Sequence, residues 1–121
     1  HLLSRRQRQM CIRDSFCKAR FIEEQADELF GKLKEEHYLA GLPKERIVRR
    51  LAYYFSEINA LHPFREGNGR TQREFIRELA LKRGYVIRFA RVSRDEMMEA
   101  SRESFLCRYE KMEALFWKAV Q

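Results

Sequence analysis

Between His62 and Arg73 the chain gathers an imidazole, a carboxylate, two glycines around an asparagine, and three guanidinium groups. They lie in the run His62-Pro63-Phe64-Arg65-Glu66-Gly67-Asn68-Gly69-Arg70-Thr71-Gln72-Arg73. The glycines stand where a loop should pass into a helix. Gly allows positive φ and close approach of the backbone to an anion, and the free N–H groups of a first helical turn point at phosphate oxygens, aided by the positive end of the helix dipole. Arg70 and Arg73 are three residues apart, so on a helix they share a face and can grip neighbouring phosphates together. Glu66 would be repelled by a polyphosphate unless a cation bridged them. Mg²⁺ suits that role, since it binds through one or two carboxylates plus substrate phosphates. His1 and His37 show no metal-ligand spacing with His62. Proton abstraction is therefore the work that fits the His62 imidazole. Phe64 reads as a packing residue, and Asn68 and Thr71 have the additional, plainer reading of helix caps.

The elements that must position this run are helical. From about Ala19 to Glu36, Phe21, Ile22, Ala26, Leu29, Phe30 and Leu33 recur at helical spacing. After Gly41-Leu42, Pro43 suits a helix start, and Ile47, Leu51, Tyr54, Phe55, Ile58 and Leu61 trace a buried stripe leading up to Pro63. A third helix from about Asn68 turns Phe75, Ile76, Leu79 and Ala80 inward before Gly84 stops it. Tyr85 to Phe89 reads as an extended connector. Ser93-Arg94-Asp95-Glu96 fits a capping box opening a helix to about Phe105, and a last helix carries Met112, Leu115, Phe116 and Val120. The pattern predicts an all-α bundle around a central helix–loop–helix unit.

The 121 residues favour one domain with a modest core, and 45% hydrophobic content excludes a disordered chain. No apolar run approaches the ~20 residues that span a bilayer. Cys11, Cys17 and Cys107 form no metal or redox pattern, and an odd count fits reduced thiols and a cytoplasmic protein. Residues 1–15 contribute +3 of the +7 net charge through Arg5, Arg6, Arg8 and Arg13 against Asp14. They show no hydrophobic period and look like translated adapter sequence, so the fold is read over 16–121. A basic nucleic-acid arm and a secretion signal are the other readings of this stretch. The first rests on composition alone, and the second lacks an apolar core.

The run from His62 to Arg73 resembles, without a break, the signature of the Fic family, His-Pro-Phe-x-Asp/Glu-Gly-Asn-Gly-Arg-x-x-Arg. The likeness continues through Leu51-Ala52-Tyr53-Tyr54 and Glu57-Ile58-Asn59-Ala60-Leu61 before it, and through Val92-Ser93-Arg94-Asp95-Glu96-Met97 after it. The resemblance implies a Fic-type helical bundle over residues 16–121 and a protein adenylyltransferase, moving AMP from ATP to a Tyr, Thr or Ser hydroxyl of a target protein. By that similarity His62 is the catalytic base and Glu66 holds Mg²⁺. Gly67, Asn68 and Gly69 form the anion nest, and Arg70 and Arg73 bind the outer phosphates. The family's β-hairpin flap, which docks the target segment by strand pairing, is expected to be truncated here, with Phe16-Cys17 near its end.

Two rival activities stand beside this one. A Doc-like kinase is disfavoured by Gly69, where Doc-type motifs carry Lys. A catalytically silent basic helical module would make the pairing of His62 with Glu66 accidental, and nucleic acid is not the expected partner. The inhibitory pattern of the family, Ser or Thr, three residues, Glu, then Gly or Asn, has no copy in this chain. The only Glu-Gly is Glu66-Gly67, and His62 stands four residues before it. The expectation is a toxin of a toxin–antitoxin pair whose small partner supplies the inhibitory Glu, and the alternative is a lost N-terminal part that carried it.

Overall fold

A computed structural model of the chain describes residues 15–61 and 68–121, with side chains described over 24–61 and 70–121. The described residues form helices α1 (Ser15–Glu35), α2 (Lys44–Leu61), α3 (Asn68–Lys82), α4 (Arg94–Phe105) and α5 (Glu110–Ala119), with short 3₁₀ turns at His37–Leu39 and Phe89–Arg91. The fold is all-α, as the periodicity requires. Pairing of extended chain is confined among the described residues to one antiparallel bridge between Ile87 and Val120. The connector expected at Tyr85–Phe89 is thus extended, and Val120, expected on the last helix, pairs with it instead.

α2 is the hub of the bundle, packing against α1, α3, α4 and α5. Its stripe Ile47, Leu51, Tyr54, Phe55, Ile58 and Leu61 is buried throughout, and the other helices contribute apolar faces to it. Phe116 of α5 is fully buried, with its ring centroid 5.4 Å from that of Phe55 and 6.1 Å from that of Phe89. Offset and edge-to-face aromatic pairs of this kind add about 0.5–1.5 kcal/mol beyond their burial.

Local chemistry sets the helix ends. Ser93 Oγ accepts from Glu96 N at 3.1 Å while Glu96 Oε1 accepts from Ser93 N at 3.0 Å, which completes the predicted capping box. α3 ends as expected at Gly84, whose φ of +88° lets Tyr85 N reach back to Ala80 O at 2.9 Å. Pro43 lies one residue ahead of α2, its carbonyl accepting from Arg46 N and Ile47 N.

Three features differ from the sequence pattern. α1 begins at Ser15 and takes in Phe16 and Cys17, upstream of the expected start at Ala19. Phe30 and Phe75, both assigned inward, are 43% and 37% exposed and meet edge to face, 5.5 Å between centroids. The link from α1 to α2 contains three successive non-glycine residues with positive φ, His37 (54°), Tyr38 (52°) and Leu39 (67°). A left-handed conformation costs roughly 1–2 kcal/mol per L-residue. It is sustained because Leu39 is wholly buried and because Glu36, just before the turn, is clasped from α2. Arg50 donates to it from Nε (2.9 Å) and Nη2 (2.5 Å), and the Tyr54 hydroxyl donates at 2.5 Å. Burial alone would raise the carboxyl of Glu36, but the bonds from Arg50 and Tyr54 outweigh it and hold it below the usual range. Burial and the bond to Glu36 push the Tyr54 phenol up.

Candidate active site

Two helix ends flank the motif. α2 delivers the chain to Leu61, which is buried and anchored in the core, and α3 takes it up again at Asn68. The helix tip therefore begins inside the Gly67–Gly69 segment, as the glycine spacing requires. Its first-turn amides have no intrahelical partner and are available to an anion. His62, Glu66 and Gly67 lie outside the described residues, as do Pro63, Phe64, Arg65 and the expected foreign segment up to Asp14. For Asn68 and Gly69 the helical backbone is described.

Arg70 and Arg73 stand on the first turns of α3, and both are exposed. Three residues of helix separate them by about 4.5 Å of rise and about 60° of rotation, so the two guanidinium groups can serve adjacent anionic groups. Neither is ion-paired among the described residues, in contrast to Arg77 one turn further on. That residue is locked to Glu74 through Nε (2.9 Å) and Nη2 (2.5 Å). Thr71 faces solvent between them, while Gln72 is buried and turned to the core.

A groove of about 730 Å³ runs along α3 from Arg70 to Arg83, with Tyr38, Phe75, Leu79 and Lys82 on its walls. It follows the flank of the helix rather than its tip. Among the described residues the groove reaches the first turn of α3 at Arg70 and Thr71.

Glu57 has a place that the sequence reading did not give it, since there it figured only within a flanking helix. It is 3% exposed in an otherwise mostly apolar stripe, one turn before the end of α2. The Tyr109 hydroxyl donates to its Oε2 at 2.6 Å. The available signal was a carboxylate inside a core-facing helix directly ahead of the motif. Among the described residues no group of three His, Cys, Asp or Glu side chains could hold a metal ion.

Comparison with known proteins matches residues 4–80 to the Fic/DOC family model, a span that begins within the arginine-rich first fifteen residues. The chain is 49% identical over 94 residues to the protein adenylyltransferase VbhT of Bartonella schoenbuchensis, covering 78% of this chain and 20% of that protein. Its fold is similar to the N-terminal Fic domain of a Bartonella quintana effector crystallised with ADP. The TM-score is 0.79 at 33% identity, over 83% of this chain and 47% of that one. It is similar also to the BepC protein of Bartonella tribocorum with bound AMPPNP, with a TM-score of 0.78 at 27% identity, over 83% and 48% of the two chains. The chain spans less than half the length of each of these three relatives. The motif, the helix pair that frames it and the family match agree, and the chain belongs to the Fic/DOC family.

Proposed function

We propose that this chain is the catalytic core of a protein adenylyltransferase. The target hydroxyl oxygen attacks the α-phosphorus of ATP and gives its proton to His62. The bond to the β-phosphate oxygen breaks, and pyrophosphate leaves. The Gly67, Asn68 and Gly69 backbone and the guanidinium groups of Arg70 and Arg73 bind the phosphates. Glu66 would hold Mg²⁺, which supplies positive charge beside the phosphates when bound. Phosphoryl and nucleotidyl transfers depend mainly on positioning and charge stabilisation, which a helix tip and two arginines provide.

The observation that carries this reading is that α3 starts at Asn68 with Arg70 and Arg73 exposed and without ion-pair partners among the described residues. Nucleotide in two similar domains supports ATP as substrate, and the similarity to VbhT, a protein adenylyltransferase, supports a protein target. A partner protein supplying an inhibitory Glu to Arg73 belongs to the same proposal. Among the described residues no helix is long and apolar enough to cross a membrane.

The test is incubation with a bacterial lysate and ATP labelled at the α- or the γ-position. Label on protein from the α-position alone, lost in His62→Ala and on chelation of Mg²⁺, is the expected result. Label from the γ-position alone would replace this reaction with a Doc-like kinase.

A further inference from the structure

We propose that Glu57, held by Tyr109, is a positioning residue for the transfer reaction: it fixes the last turn of α2, from which the motif departs. The inference rests on the adenylyltransferase reading for its kinetic part and on geometry for the rest. Glu57 is 3% exposed, and a buried carboxylate is costly unless it is hydrogen-bonded. Packing alone does not account for it, because an apolar side chain would fill the same space without that desolvation cost. One of its partners comes from the far side of the fold. Tyr109 is the residue just before α5, and its hydroxyl reaches Oε2 at 2.6 Å across 52 residues of sequence. The ring of Tyr109 rests against Tyr53, 5.8 Å between centroids, and Tyr53 and Glu57 share one face of α2 a turn apart. Ring and hydroxyl therefore grip two successive turns of α2. The following turn ends at Leu61, and His62 is the next residue in the chain.

This arrangement divides the labour between two helix ends. ATP is gripped from the tip of α3 through Arg70 and Arg73, whereas the base is delivered from the end of α2. Loosening the Glu57–Tyr109 latch therefore disturbs the base and leaves the phosphate grip intact, and a misplacement of about 1 Å in a catalytic group costs up to about a hundredfold in rate.

Tyr109→Phe removes one hydroxyl and keeps the ring. Its kcat for α-label transfer should fall about ten- to a hundredfold, with the KM for ATP within about twofold of wild type. Amide exchange at residues 58–61 should quicken by about tenfold or more, with exchange in the middle of α5 unchanged. Glu57→Gln, which keeps a carbonyl acceptor for Tyr109, should recover most of the rate. Glu57→Leu, which removes the acceptor altogether, should lose it. A Tyr109→Phe enzyme with wild-type kcat overturns the inference, as does a rate loss that follows melting temperature across the three variants. Unchanged exchange at 58–61 overturns it without reference to activity. A wild-type protein that transfers no label, yet shows faster exchange in Tyr109→Phe, overturns the adenylyltransferase reading and leaves the latch as architecture only.

Discussion

Replacing Arg73 by Ala tests whether the paired arginines of α3 bind substrate or merely solubilise the helix. Arg73 is exposed and makes no ion pair among the described residues, so the fold loses little. A surface change of this kind lies within about 0.5 kcal/mol, less than ~3 °C in melting temperature for a domain of this size. The reaction loses more, because a hydrogen bond to a charged group contributes about 1.5–3 kcal/mol. At 1.36 kcal/mol per decade of rate, that is a drop of about ten- to 150-fold in kcat/KM for ATP. Arg70→Ala should fall in the same range. Arg77→Ala is the internal control: it removes the same charge one turn further along α3, but its guanidinium is already committed to Glu74, so transfer should stay within about twofold of wild type. The assay is initial-rate transfer of α-label at several ATP concentrations, with a thermal melt of every variant. If Arg73→Ala and Arg77→Ala lose activity equally, the effect is general charge, and the pairing of Arg70 with Arg73 carries no special meaning. If Arg73→Ala keeps the wild-type kcat/KM, the phosphate assignment is wrong.

Two further outcomes concern the scaffold. Phe116→Ala empties a fully buried site between Phe55 and Phe89 and should cost about 3–5 kcal/mol, a fall of roughly 10–20 °C in melting temperature; a loss under about 1 kcal/mol would mean that the three rings do not form the packed centre. Glu96, held down to about 2 by Lys118 and by the backbone N–H of Ser93, lies below its ordinary 4.5 in the folded state. Its contribution is therefore present above pH 4.5 and lost as pH falls toward 2. Urea melts at pH 7 and pH 3 should show a smaller acid-induced loss for Glu96→Gln than for wild type, and equal losses would remove Glu96 from the acid limb.

The helices were legible because their signals are local. A stripe at helical period, a capping box at Ser93–Glu96 and a glycine at 84 each specify an element without reference to the rest of the chain. The two aromatics misplaced by that reasoning share one cause. Phe30 and Phe75 lie about 80° from the centres of their helices' buried stripes by helical geometry, near enough to count as core in a periodicity and far enough to stand partly in solvent. The left-handed turn at His37–Leu39 was invisible, since none of its residues is Gly or Asn and tertiary clamping alone sustains it. In the site, the order of residue types announced the family and the start of α3. The Glu57–Tyr109 bond was not readable, because 52 residues separate its partners and no spacing rule connects them. Nor can spacing fix how His62 and Glu66 face one another, because a loop has no period from which to infer direction.

The mirror-handed bend between the first two helices has a mechanical consequence. Its stored strain, roughly 1–2 kcal/mol at each of three residues, is released as soon as the bend opens, and the Glu36 clasp beside it is the restraint that opening must break. Strain and restraint act in series, so the leading helix is a spring-loaded limb whose detachment requires less free energy than dismantling the bundle behind it. Cleavage by a protease under native conditions should accordingly strike around residue 38 while the remaining four helices stay assembled.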